Sequence, residues 1–204
     1  MKNNKLEVAV DVDGVLLDNM VTFCEIYNET YEGSKGFKSR TKEDVTSWQF
    51  NHDWNLPDAG LWAIFDLISE QLLFVPFIDP IASKIMRKLR GKFVVDIVTA
   101  RKESDRELLV KKLWKHRIME GVQYDCLHIV DRHDFTAKID MSYNIYVDDS
   151  PNLVEDIKEH EDKLLILFDQ PWNQHCKCTS NVIRAKNWRE VWKIIVEINK
   201  QMRL

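Results

Sequence analysis

Apolar positions along the chain form short runs that alternate with longer stripes, and this alternation predicts an α/β protein. Leu6 to Val10 is a short, mostly apolar, β-prone run, which suits a buried strand of a parallel sheet. From Asp18 to Tyr31 the residues Met20, Phe23, Cys24 and Tyr27 recur at helical spacing. A polar, glycine-containing interval covers Glu32 to Arg40. An aromatic-rich stretch follows, with Trp48, Phe50, Trp54, Trp62, Phe65 and Phe74, and with Pro57 and Gly60 between them. No strand pattern lies between residues 18 and 78, so this stretch reads as a small helical insertion after the first strand.

Regular alternation resumes at Asp79-Pro80, an N-cap acceptor followed by proline at the first helical position. The helix is predicted to run to Arg90 and to end at Gly91. A strand is predicted at Phe93 to Val98, a helix at Glu103 to Arg117, and short strands at Cys126 to Val130 and Asn144 to Val147. Ser150-Pro151 starts a helix to about His160, and Leu164 to Phe168 is a fifth strand. Asn187 caps a last helix with Trp188, Val191, Trp192, Ile195 and Ile198 on one face. The expected architecture is α/β, a parallel sheet of about five strands with helices on both faces. Asp96, inside the second predicted strand, has no explanation in this pattern.

Composition changes the picture little. The chain has 204 residues, 45% hydrophobic and 30% charged, with net charge 29 − 33 = −4, the profile of a globular protein. Without a large basic block, a main role in gripping a nucleic-acid backbone is disfavoured. The start M-K-N-N-K leads directly into the first strand, with no leader-type or membrane-length apolar run, so a cytoplasmic setting without a membrane partner is expected. The four cysteines (Cys24, Cys126, Cys176, Cys178) show no framework spacing. His175-Cys176-Lys177-Cys178 lacks a second Cys/His pair to complete a zinc site, so reduced, unliganded thiols are expected.

The candidate chemistry sits at strand ends. Asp11 and Asp13 arrive at alternate positions after the first strand, and Gly14 lets the backbone turn sharply behind them. The second strand ends in Thr99, with Arg101 two residues on. The fourth delivers Asp148 and Asp149, and Lys138 precedes Asp148 by ten residues. Ligand sites in open α/β sheets lie beyond the carboxyl ends of the strands. Three aspartates crowded there need a cation, and hard oxygen donors suit Mg²⁺. Arg101 is either a phosphate ligand or an ion-pair partner of Glu103 or Asp105. Asp149 is either a metal-site residue or a helper in capping the helix after Ser150.

In this order, D-x-D-G-V, the strand-end threonine, the isolated lysine and the D-D pair resemble the haloacid dehalogenase (HAD) superfamily of phosphatases. The segments D-Q-P-W-N-Q (Asp169 to Gln174), N-W-R-E (Asn187 to Glu190) and I-D-P-I-A (Ile78 to Ala82), and the Lys138-to-Asp148 step, are similar to its 5′(3′)-deoxyribonucleotidase branch. The resemblance implies a Rossmann-like HAD core at 1–17 and 79–204, with a helical cap at 18–78. It implies that Asp11 is the nucleophile forming an aspartyl-phosphate, that Asp13 is the acid and base, and that Lys138 neutralises the phosphate and holds Asp11. Thr99, Ala100, Arg101 and Lys138 would bind the phosphate. Mg²⁺ would be held by Asp11, the Asp13 backbone carbonyl and Asp148, with Asp149 orienting its waters. The substrate implied is a nucleoside monophosphate, often a deoxypyrimidine one, cleaved to nucleoside and phosphate. T-A-R departs from the small or proline-bearing sequence expected after the threonine and is closer to polynucleotide 3′-phosphatases. Alternatives are therefore another small phosphate ester, a polynucleotide 3′-phosphate, or a silent nucleotide-binding module. A homodimer is compatible with the sequence.

Overall fold

A computed structural model describes residues 5–131, 134 and 136–201 of the chain. Its strands are β1 (Glu7–Val10), β2 (Val94–Ala100), β3 (Leu127–Val130), β4 (Ile145–Asp148), β5 (Leu164–Phe168) and β6 (Val182–Ala185). All pair in parallel, in the order β3-β2-β1-β4-β5-β6. Side chains alternate across the sheet. Val8, Val10, Val95, Ile97, Ile145 and Val147 pack to one face, while Ala9, Val98, Tyr146, Leu165 and Leu167 pack to the other. The first face is covered by α4 (Ala82–Arg90), α5 (Arg106–Lys115) and α7 (Trp188–Gln201), through Ile85, Met86, Leu89, Leu109, Leu113, Val191 and Ile195. The second face is covered more thinly, by α6 (Pro151–Asp156) with Leu153 and Val154, and by Ile139 and Tyr143.

The strand order reverses between β1 and β4, so the chain leaves those two strands in opposite directions and opens a crevice at their carboxyl ends. The hydrogen bond from the Asp11 N–H to the Val147 carbonyl, 2.9 Å, ties the two strand ends together there.

Between β1 and α4 lie α1 (Asn19–Tyr31), α2 (Phe50–Asp53) and α3 (Asp58–Glu70), with a single 3₁₀ turn at Lys42–Asp44. The outgoing and returning chains run side by side. Leu17 pairs antiparallel with Phe77, the Asp18 N–H donates to the Pro76 carbonyl at 2.8 Å, and the Ile78 N–H donates to the Leu16 carbonyl at 2.9 Å. Aromatic packing builds the interior of this helical segment. The Phe23 ring centroid lies 5.2 Å from those of both Phe50 and Phe65, and Tyr27 lies 5.1 Å from Trp54. Among the described residues, no helix is long and apolar enough to cross a membrane.

Two elements differ from expectation, and one unexplained residue finds its role. The sheet has six strands. The sixth, Val182–Ala185, escapes the pattern because it is short and carries Arg184, which pairs with Asp169 at 2.7 Å and donates to the Asn173 and Cys176 carbonyls. The helix expected from Asp79-Pro80 begins at Ala82. Asp79 Oδ1 accepts the Ile81 N–H at 2.9 Å, so the aspartate organises a turn before the helix rather than capping it directly. Asp96 is accounted for: its Oδ1 accepts the Cys126 N–H at 2.8 Å and its Oδ2 accepts the Tyr143 hydroxyl at 2.7 Å.

Candidate active site

At the end of β1 the chain turns through Gly14, whose φ is +73°. A Cβ at this position would lie 2.2 Å from Asp149 Oδ2. Both the backbone conformation and the close approach therefore require glycine. The turn presents Asp11 and Asp13 to the β1/β4 crevice, where β4 brings Asp148 and Asp149. Carboxylate oxygens of Asp11, Asp148 and Asp149 all lie within 4.8 Å of one another, and all three residues are buried.

Lys138 brings a cation into this cluster. Its Nζ lies 3.1 Å from Asp11 Oδ2 and donates to Asp148 Oδ2 at 2.7 Å. Burial alone would lower its pKa; the two carboxylates more than offset that and raise it, so the ammonium stays charged. Burial pushes the Asp11 carboxyl up to about 7, with Asp148 and Asp13 adding to the rise and Lys138 opposing it. Asp149 is likewise raised well above the carboxylate range by burial, then by Asp148 and Asp11. One ammonium does not compensate three buried carboxylates. Asp11 Oδ1 is buried without a hydrogen-bond partner among the described residues. An orphaned carboxylate oxygen in an all-oxygen, over-charged cluster fits a hard divalent cation.

Thr99, the penultimate residue of β2, is almost fully buried, and its Oγ1 has no hydrogen-bond partner among the described residues. Arg101, two residues on, grips Asp13 with both arms of its guanidinium: Nε donates to Oδ2 at 2.8 Å and Nη2 donates to Oδ1. Its Nη1 lies 4.0 Å from Asp105, while Glu103 pairs instead with Arg106. Of the ion pairs considered for Arg101, the Asp105 contact is a loose one and the Glu103 one is not made. The partner it does hold, Asp13, lies 88 positions away and went unpredicted.

These groups line one cavity of about 330 Å³, with Asp11, Asp13, Thr99, Ala100, Arg101, Lys138 and Asp149 on its polar side. The helical segment supplies the opposite wall, through Val45, Trp48, Leu61, Trp62, Phe65 and Ile68. Of the aromatic residues of that segment, Phe23, Phe50 and Trp54 serve its core, whereas Trp48 and Trp62 are partly exposed at the cavity.

The loop after β5 holds the acidic turn from behind, a role the sequence did not reveal. Trp172 Nε1 donates to Asp149 Oδ2 at 2.7 Å, and Asn173 Nδ2 donates to the Asp149 carbonyl at 2.9 Å. Gln170 Nε2 donates to the Gly14 carbonyl, and Trp188 Nε1 at the start of α7 donates to the Val15 carbonyl at 3.1 Å. The only sequence signal was that these residues fall in the D-Q-P-W-N-Q and N-W-R-E segments. A side-chain bond sets Asp149 against Trp172, so its oxygen is aimed by the loop rather than by helix capping.

The family model described as 5′ nucleotidase, deoxy (pyrimidine), cytosolic type C protein (NT5C) matches residues 4–202. No curated protein sequence matches the chain. Among solved structures, a haloacid dehalogenase-like hydrolase from Streptococcus pneumoniae has a TM-score of 0.67 at 12% identity, covering 96% of this chain and 100% of that one. Protein Tyrosine Kinase A from Mycobacterium tuberculosis has a TM-score of 0.68 at 12% identity, covering 95% and 99%. The HAD-hydrolase YfnB from Bacillus subtilis, solved bound to magnesium, has a TM-score of 0.59 at 11% identity, covering 95% and 100%. At such identities these likenesses show the fold. The family match spans nearly the whole chain, which therefore belongs to the cytosolic type C 5′-nucleotidase family within the HAD-like fold and is a phosphoric monoester hydrolase.

Proposed function

We propose that the protein hydrolyses nucleoside 5′-monophosphates, deoxy forms among them, to nucleoside and phosphate, in a Mg²⁺-dependent reaction through an aspartyl-phosphate. The observation that carries this reading is the two-sided cavity. An orphaned, buried Asp11 oxygen at one end faces an apolar, aromatic wall at the other. A volume of about 330 Å³ suits a small molecule. Flat rings such as Trp48 and Trp62 suit a nucleobase, and the family description names the same substrate class.

In this reading an Asp11 carboxylate oxygen attacks phosphorus, forming the aspartyl-phosphate while the bond to the leaving oxygen breaks. Asp13 gives that oxygen its proton and then takes one from the water that hydrolyses the intermediate. Thr99 Oγ1 donates to a phosphoryl oxygen, and the backbone of Ala100 lines the same subsite. Lys138 balances the phosphate charge and keeps Asp11 in place. Arg101 clamps Asp13 in the free protein, and an entering phosphate competes with Asp13 for the same guanidinium. Mg²⁺ would be held by Asp11, the Asp13 backbone carbonyl and Asp148, with Asp149, aimed by Trp172, orienting its waters. When bound, it offsets the crowded negative charge and that of the phosphoryl group.

Residues 18–78 would act as a cap over the core of 1–17 and 79–204, hinged where Leu17 and Phe77 pair, excluding water and contacting the leaving group. The cytosolic type in the family's description supports a cytoplasmic setting. Phosphate release from deoxy- and ribonucleoside monophosphates, sugar phosphates and a 3′-phosphorylated oligonucleotide, with Mg²⁺ and with EDTA, tests the proposal. Metal-dependent turnover confined to nucleoside monophosphates is expected. Preference for the oligonucleotide or a sugar phosphate would overturn the substrate.

A further inference from the structure

On the thinly covered face of the sheet, away from the catalytic cavity, the structure brings together three residues that its chemistry does not use. Asp96 lies in the middle of β2. Cys126 and His128 are two apart at the adjacent edge of the sheet, so their side chains stand on the same face as Asp96. A carboxylate oxygen of Asp96, the Cys126 Sγ and a ring nitrogen of His128 all lie within 4.8 Å of one another. His128 Nε2 is already 3.5 Å from Asp96 Oδ2.

We propose that Asp96, Cys126 and His128 form a second metal site of Zn²⁺ type, separate from the Mg²⁺ site of the reaction. Sulfur and imidazole donors select a borderline or soft cation over Mg²⁺. Tetrahedral Zn²⁺, with bonds to nitrogen and oxygen of about 2.0–2.2 Å, needs an N···O edge of roughly 3.3 Å, close to the spacing present. Asp96 is prepared as a single-oxygen ligand. Its Oδ1 is occupied by the Cys126 N–H, and its Oδ2 is oriented by the Tyr143 hydroxyl at 2.7 Å, the outer support that ligating carboxylates use. Cys126 is exposed and His128 half-buried, so a metal has an entry path and the fourth position is left to water.

An ion at this place joins β2 to the edge strand β3. Thr99 follows Asp96 by three residues, about 10 Å along the strand, and Val130 of β3 lines the catalytic cavity. The metal would therefore brace the wall that carries Thr99.

The test is titration of the EDTA-stripped, Mg²⁺-saturated full chain with Co²⁺, read by absorption. The catalytic cluster contains no sulfur, so a thiolate-to-cobalt charge-transfer band reports this site, and Zn²⁺ should displace it. The proposal expects one equivalent of Co²⁺ with that band, and at least a tenfold loss of affinity in each of Cys126→Ser and His128→Ala. It also expects the band to survive in a Cys176→Ser/Cys178→Ser double variant. Zn²⁺ should raise the melting temperature of the native chain and not that of Cys126→Ser, whose fold is checked by circular dichroism and by retained Mg²⁺-dependent phosphatase activity. Absence of the band in the native chain, its survival in Cys126→Ser, or an unchanged Co²⁺ affinity in His128→Ala would overturn the site.

Discussion

Replacing Asp11 with asparagine should stabilise the metal-free protein while ending its activity. Folding carries the Asp11 carboxyl from an ordinary 3.8 to about 7, because it is buried beside other carboxylates. At 1.36 kcal/mol per pKa unit, holding it ionised at pH 8 costs the fold about 4 kcal/mol. An asparagine side chain carries no such charge, but its neutral oxygen accepts more weakly from Lys138, so roughly half of that gain should appear. About 2 kcal/mol in a chain of this size raises the melting temperature by about 4–8 °C. The sign follows from proton linkage. Between pH 3.8 and about 7 the folded chain binds the Asp11 proton more tightly than the unfolded chain. Native stability therefore falls as pH rises through that window and is level above it. Thermal unfolding in EDTA should show the variant ahead of the native chain at pH 8, with the gap closing towards pH 4. Saturating Mg²⁺ should narrow the pH 8 gap, because the cation stabilises the native cluster by mass action. A variant no more stable than the native chain at pH 8 in EDTA, or a gap independent of pH, would refute the electrostatic reasoning.

Thr99→Val keeps the side-chain shape and removes a buried hydroxyl that has no partner among the described residues. Its stability should hold or rise by about 1 kcal/mol, while kcat/KM falls roughly 10–100-fold, as expected for one hydrogen bond to a charged oxygen. Gly14→Ala forces a left-handed backbone on alanine, costing about 1–2 kcal/mol, and drives its Cβ into Asp149. Lowered melting temperature and lost Mg²⁺-dependent turnover are the expected results. Trp172→Phe removes the Asp149 donor, so Mg²⁺ affinity by calorimetry should fall roughly 10–100-fold; unchanged affinity would release Trp172 from that role.

Local pattern carried the sequence reading a long way, and its failures have a common physical source. The strands that emerge from runs such as V-V-D-I-V and L-L-I-L-F are buried on both faces, so their composition alone marks them. The strand-end aspartates could be read because the carboxyl edge of a parallel sheet converges whatever follows each strand. Val182–Ala185 was missed because four residues containing an arginine carry no periodic signal. The pairings of Arg101 with Asp13, Trp172 with Asp149 and Asp96 with Tyr143 link residues far apart in sequence. No local period records such a bond; only the assembled sheet brings the partners together. The same holds for the aromatics between residues 18 and 78. Helical spacing shows that they pack, but not that Trp48 and Trp62 turn to the cavity while Phe23 and Trp54 turn inward.

The central claim is that Asp11 accepts the phosphoryl group, and rapid acid quench tests it most directly. The protein with Mg²⁺ is mixed with a deoxynucleoside 5′-monophosphate, stopped within one turnover and mapped by peptide mass. The account predicts one added phosphoryl group on the peptide containing Asp11, absent with EDTA and absent from Asp11→Asn, which should release no phosphate. Full phosphate release by Asp11→Asn, or a phosphoryl group carried on a different residue, would contradict it.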